Sequence, residues 1–291
     1  MSEHKRPFPQ AATSSRWSAR RPWLARNQWP IIAILFLFIL LTSLYSWLIP
    51  PFEGPDEAQH VAYVTWLASG LGLPPQGAAA WETPVQQEAS QPPLYYFLAS
   101  VPMRLGRLTE PPAIYRPNPH YLAPMPHNLP DNDNVAIHYS TDTRPLQGGW
   151  LAFYLARSVT LLFGLLLIIS AYGLARQIRP AAPQIAWGTA FLIAVTPQVV
   201  YLSGMVSNDI PAAALSALAL WALVVLLQRP SLSPWLALLT GSLFGLAGLT
   251  KVSALALLIP AGIGLGGLWV TRRQPFRRVL WAGLGMASGV T

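Results

Sequence analysis

Six stretches of this chain run for 18 residues or more without one Asp, Glu, Lys or Arg: 27–52, 158–175, 180–208, 210–228, 230–250 and 252–271. A helix that crosses the hydrocarbon core of a bilayer needs about 20 such residues. In lipid the backbone must satisfy its own polar groups, which a helix does within one segment. The pattern therefore points to an all-α integral membrane protein, a transmembrane bundle of six full spans. A further run, 279–291, is expected to be the start of a seventh helix in a chain cut short. Composition agrees: 53% of residues are hydrophobic and 10% charged, against about a quarter charged in soluble domains. A cleaved signal peptide does not fit, because Pro30–Leu48 is long for its apolar region and Leu48-Ile49-Pro50 offers no small-residue cleavage site.

Several function classes drop out at once. Cysteine is absent, which removes disulfides, thiolate metal sites and thiol nucleophiles. The net charge of +8 is not gathered into a recognition stripe but lies between apolar runs, so no nucleic-acid partner is expected. Lys5, Arg6, Arg16, Arg20, Arg21 and Arg26 precede the first run and assign residues 1–28 as a basic cytoplasmic arm. Alternation from there puts Arg176, Arg179, Arg229, Arg272, Arg273, Arg277 and Arg278 inside. Of the acidic residues, Glu3 alone falls on that side. The expected location is the cell membrane, multi-pass, among membrane lipids.

Residues 29–291 form the membrane domain, and its polar mass is concentrated in a large first loop, about 50–148, expected outside the cell. Two helices are expected in it. One spans 56–69, after Gly54-Pro55 and before Gly70-Leu71-Gly72; the other spans 93–106, after Pro92-Pro93. The Pro- and Asn-rich segment 109–148 reads as an irregular insertion.

Ionisable residues at the lip of a membrane usually mark chemistry, and several groups stand out. Asp56 and Glu57 follow the first span, with His60 one helical turn on. A carboxylate and an imidazole at that spacing can share a divalent ion, or one can orient the other as a base. Acids in a first turn also simply complement the helix dipole. Asp209, between the third and fourth runs, suits an N-cap before Ile210-Pro211, or a second carboxylate converging on the first. Lys251 is the one charge between 230 and 271; it either snorkels or holds an anionic ligand such as a lipid phosphate. Tyr95 and Tyr96, in Gln91-Pro92-Pro93-Leu94-Tyr95-Tyr96, suit headgroup depth or stacking on a sugar face. Arg157, at the outer end of the second span, can pair with a carboxylate or a phosphate, or snorkel.

The order of these pieces resembles the polytopic GT-C glycosyltransferase superfamily, nearest its aminoarabinose and protein mannosyl transferase branch and uncharacterised bacterial relatives. The pieces are the Asp56-Glu57 pair, Pro92-Pro93-Leu94-Tyr95-Tyr96, Arg157, the lone Asp209 and Leu249-Thr250-Lys251, spread over about 53–253. The resemblance implies transfer of a sugar from a polyprenyl-phosphate donor to a lipid, glycan or protein acceptor on the extracytoplasmic side. Asp56 would then be the general base or, with Asp209, a ligand of a divalent cation such as Mg or Mn; no other cofactor is implied. Glu57 would help hold the metal or the acceptor, and Lys251 and Arg157 would face the donor phosphate. His60 fits an extended DE-x-x-H form. Two other classes remain as alternatives. A transporter or flippase of lipid-linked substrates would place charges nearer mid-membrane. A membrane scaffold would depend on 109–148 more than on Asp56.

Overall fold

The computed structural model describes residues 28–108, 115–119, 121, 134–140, 146–271 and 273–290. The basic arm and much of the 109–148 insertion therefore lie outside the described residues. What is described is helical, with one isolated antiparallel bridge between Pro117 and Ala136. Helix α1 runs Trp29–Leu48. In the first loop come α2 (Glu57–Ala68), two 3-10 turns (Gly77–Glu82 and Gln86–Ser90) and α3 (Leu94–Leu105). Then follow α4 (Gly148–Ile178), α5 (Pro183–Val195), α6 (Pro197–Ser203), α7 (Asp209–Leu227), α8 (Pro234–Gly248), a 3-10 turn (Val252–Leu257) leading into α9 (Leu258–Val270), and α10 (Phe276–Val290).

Both loop helices lie where 56–69 and 93–106 were expected, each bounded by the Gly or Pro residues that mark it. The spans are less regular than six equal crossings. Four helical stretches are long and apolar enough to cross a membrane: α1, α4, α7 and the continuous Val252–Val270. The bent pair α5–α6 makes a fifth if counted as one span. Its break of 63° falls at Thr196-Pro197. Pro197 has no N–H to donate, and the residue before a proline is pushed out of helical geometry; Thr196 accordingly sits at ψ 117°. Helix α8 has 15 residues, about 22 Å at 1.5 Å per residue, short of a full crossing.

Helix α4 departs most from the uncharged run 158–175. Its 31 residues begin at Gly148, so Arg157 lies in its third turn rather than at its opening. Close approaches fix α4 against its neighbours. A Cβ on Gly164 would come within 2.7 Å of both the Phe38 ring and Ser203 Oγ, so only glycine lets α1, α4 and α6 meet there.

Four buried clusters result among the described residues, the smallest of them Leu215, Ala247 and Ala254. One joins α2 and α3 to the first turns of α4 through Val64, Tyr95, Tyr96, Met103 and Phe153. A second binds α1, α4, α5 and α6 around Phe38 and Ile168. The third holds α7 to α10 together around Phe244 and Leu226. The loop helices thus sit on the ends of α4 and α7. Leu94 N–H donates to the Leu249 carbonyl (3.1 Å), and Asn208 Nδ2 donates both to Gln91 Oε1 (3.2 Å) and to the Thr250 carbonyl (3.2 Å).

Candidate active site

The segment after α1 folds around Glu57. Its carboxylate is fully buried and takes four hydrogen bonds. Oε1 accepts from Arg157 Nε (2.8 Å) and Val206 N (2.9 Å); Oε2 accepts from Arg157 Nη2 (2.7 Å) and Phe52 N (3.0 Å). Two carboxylate oxygens offer about four lone-pair sites, so Glu57 has none left for a metal or an acceptor hydroxyl. Arg157 is 1% exposed and equally committed. Beyond its two bonds to Glu57 it donates to the carbonyls of Ser46 (2.5 Å), Ile49 (3.4 Å) and Pro50 (3.4 Å), and its guanidinium lies over the Phe153 ring. The guanidinium is therefore turned to a carboxylate and backbone rather than to a donor phosphate. The pair ties the end of α1, the start of α2, α4 and the α6–α7 connection into one joint.

Asp56 is the reverse case. It is exposed, its backbone is left-handed at φ 51°, and it makes no capping bond to α2; Oδ1 accepts from Gln87 Nε2 (3.3 Å). A left-handed Asp is uncommon, and such conformations gather at functional sites.

A chain of buried polar groups lies behind it. His60 Nδ1 is 2.8 Å from Tyr96 Oη, and that hydroxyl donates to Glu88 Oε2 at 3.0 Å. The donors run in one direction when His60 Nδ1–H donates to the phenol and the phenol donates to Glu88. The His60 and Glu88 atoms are 3.2 Å apart, a distance at which a charged pair could form. Burial outweighs that attraction: it lowers the His60 pKa from 6.5 to about 4 and raises that of Glu88.

Glu88 was not legible as a site residue. It stands in Gln86-Gln87-Glu88-Ala89-Ser90, a stretch with no pattern to mark it. The weak signal that could have found it is an acid three residues before Gln91-Pro92-Pro93, where the chain turns back onto α2.

Asp209 and Lys251 meet across the α6–α7 and α8–α9 connections, Lys251 Nζ donating to Asp209 Oδ1. Both side chains are partly exposed. Asp209 is not the N-cap; Asn208 holds that position, and Asp209 sits one residue on, within the favourable first turn. The two charges act on His60 and on Glu88, and Asp56 acts on Glu88 as well. Hydrogen bonds bring the same segments together: Gln87 bonds Asp56, Asn208 bonds both Gln91 and the Thr250 carbonyl, and Lys251 bonds Asp209.

Tyr95 and Tyr96 belong to this wall in a different way from that expected. Both are fully buried. Tyr95 Oη bonds Thr160 Oγ1 at 2.7 Å, and the Tyr96 ring stacks on Tyr63 with centroids 4.0 Å apart. Neither ring offers a face for a sugar; Tyr96 contributes its hydroxyl. As for a divalent ion, no group of three His, Asp or Glu able to hold one occurs among the described residues, and the positive partner of Asp209 is Lys251. In this structure Asp209 is engaged by Lys251, while a cation held by one or two carboxylates would take further ligands from a substrate phosphate.

Glu53 fastens part of the insertion to the site. Its carboxylate accepts from Val135 N (2.9 Å) and Ala136 N (3.1 Å), and lies 2.7 Å from His138 Nε2. Glu53→Ala is expected to raise hydrogen exchange at Val135 and Ala136 while α2 stays protected; unchanged exchange there would mean that other contacts hold the segment.

The buried imidazole gives a second expected outcome. Between about pH 4 and 6.5 the unfolded chain binds a proton at His60 that the folded chain refuses. Folded stability therefore rises with pH across that window and falls as pH drops through it. Glu88, shifted the other way, contributes the opposite slope above its ordinary range, so the His60 share is read by difference. Thermal unfolding of His60→Gln should lose less stability on acidification than the wild type; parallel curves would show that His60 is not held neutral.

Residues 153–289 match the family model of dolichyl-phosphate-mannose-protein mannosyltransferases. The match covers just under half of the chain and includes Arg157, Asp209 and Lys251 but not α2 or α3. It supports the GT-C superfamily without choosing among its branches and, with the apolar helices, supports a membrane glycosyltransferase. No curated protein and no solved structure matches the chain.

Proposed function

We propose that this protein is a membrane glycosyltransferase that moves a sugar from a polyprenyl-phosphate donor to an acceptor hydroxyl on the extracytoplasmic side. The observation that carries the reading is the set of bonds that joins the Asp56 and Glu88 segments to those of Asp209 and Lys251, combined with the family match over the segment that supplies the last two. The first loop and the α6–α7 and α8–α9 connections face one way, and the charge pattern assigns that side to the exterior.

In the proposed reaction the acceptor oxygen attacks the anomeric carbon. The bond from that carbon to the phosphate oxygen breaks, and the electron pair leaves with the lipid phosphate. Asp56, the exposed carboxylate of this group, takes the acceptor proton. Lys251 is the cation next to the growing charge on the leaving phosphate, a role whose value increases in a poorly hydrated site. Asp209 holds the ammonium in position until the substrate arrives. The His60–Tyr96–Glu88 chain positions the wall behind Asp56. Glu57 and Arg157 position the joint and touch no substrate.

The test is transfer in vitro from a radiolabelled polyprenyl-phosphate sugar by the purified protein and its variants. Lys251→Met is expected to lower transfer about 10²–10³-fold, the range for loss of one electrostatic stabiliser, with the fold intact. Full transfer by Lys251→Met would remove the proposed role of the cation.

A further inference from the structure

Helix α3 has two apolar faces, and the protein covers one of them. Tyr95, Tyr96, Ala99 and Met103 belong to the cluster shared with α2 and α4. Phe97, Leu98, Val101 and Leu105 lie on the other side at helical spacing and are 50%, 36%, 36% and 82% exposed. Arg104, in the last turn, and Arg107, just beyond it, are exposed as well. We propose that this face of α3 lies in the surface of the bilayer, with its four apolar side chains among acyl chains and its two arginines on anionic phospholipid headgroups.

The helix cannot hide this face by turning. Its buried side is fixed by the bonds from Tyr95 to Thr160 (2.7 Å) and from Tyr96 to Glu88 (3.0 Å). Its level in the fold is set by its first residue. Leu94 N–H donates to the Leu249 carbonyl, and the Leu94 side chain packs against the cluster of Leu215, Ala247 and Ala254. Leu249 caps α8 near the end of the uncharged run 230–250, so α3 starts where the apolar spans give way to polar loops. Leu249 and Val252 at that junction are 51% and 61% exposed, and the apolar surface of the spans passes onto α3. A helix with a wide exposed apolar face and basic residues at that height lies in the plane of the interface.

Charge selects the headgroup. The first loop, 50–148, holds nine acidic residues against four arginines, so an anionic membrane repels it as a whole. Two of those four arginines stand at the end of this one helix, and among the described residues no carboxylate pairs with either. Basic side chains at a membrane surface attract anionic lipid, which here offsets the repulsion where the loop meets the bilayer.

The test exploits the absence of cysteine. The full chain carrying Leu105→Cys, labelled with nitrobenzoxadiazole, is placed in nanodiscs of equal parts dioleoyl phosphatidylcholine and dioleoyl phosphatidylglycerol. One lipid or the other carries a nitroxide on its acyl chains. Ile169→Cys, on the exposed side of α4, sets the quenching expected from acyl chains without a headgroup preference. At position 105 both lipids are expected to quench, phosphatidylglycerol more strongly, with the excess lost in high salt. Arg104→Gln/Arg107→Gln should keep the common quenching and lose the excess, about fivefold in local phosphatidylglycerol enrichment for each arginine. Both arginines are exposed, so the change leaves the fold intact, and an unchanged unfolding midpoint checks this. Absence of quenching at position 105 would mean that water or another protein surface covers the face, and would overturn the proposal. Equal quenching by the two lipids, or an excess that survives loss of both arginines, would overturn it too.

Discussion

Arg157→Met is expected to destabilise the protein by about 3–5 kcal/mol, the cost of leaving one member of a buried ion pair without its partner. Arg157 provides two of the four hydrogen bonds to a carboxylate that has no access to solvent. Its loss also frees the carbonyls of Ser46, Ile49 and Pro50 at the end of α1. Arg157→Lys should recover only part of this, because an ammonium cannot reproduce the two parallel bonds of the guanidinium. Glu57→Gln/Arg157→Met should be more stable than Arg157→Met alone, since no buried charge is then stranded. Thermal unfolding of the four proteins in one detergent checks the series. An Arg157→Met midpoint equal to that of the wild type would mean that the pair does not hold the joint together.

The largest effect on activity is expected at the exposed end of the cluster. Asp56→Asn should reduce sugar transfer about 10²–10⁴-fold, the usual contribution of a positioned general base. Asp209→Asn should also reduce it strongly, by releasing Lys251. Neither change should cost much stability. Asp56 is exposed, and both members of the Asp209–Lys251 pair are more than a third exposed, where ion pairs contribute little. Transfer assays paired with unfolding midpoints separate this pattern from that of Arg157, where stability is lost first. If both Asn variants retained normal transfer, the catalytic reading of these carboxylates would be abandoned. If instead they lost activity only in proportion to folded protein, Asp56 and Asp209 would be structural.

Much of this arrangement was legible beforehand. The two loop helices have the limits that Gly54-Pro55, Gly70, Pro92-Pro93 and Gly106 impose, because those residues act through local backbone geometry. Asp56, Asp209 and Lys251 were legible because a charge is rare in so apolar a chain. The roles of Glu57 and Arg157 were not. Adjacent in sequence, Asp56 and Glu57 look alike; in space one is exposed and the other is fully buried. Neighbours on a helix face different ways, and which way is inward depends on what packs there. Glu88 escaped notice for the same reason, since only its contact with Tyr96 distinguishes it from the polar residues around it. Nor did the uncharged run 180–208 reveal its bend, because Pro197 changes geometry without changing hydropathy.

Apolar run length, charge asymmetry and the punctuating Gly and Pro residues determined by themselves that this chain is a helical membrane protein with a structured first loop. Those properties act within a segment, through backbone hydrogen bonding and transfer from water. Tertiary structure alone decided which carboxylate is committed to an arginine 100 residues away and which stays exposed beside Gln87. That choice depends on burial and on partners brought from distant segments, and neither exists until α1, α2, α4 and the α6–α7 connection have met.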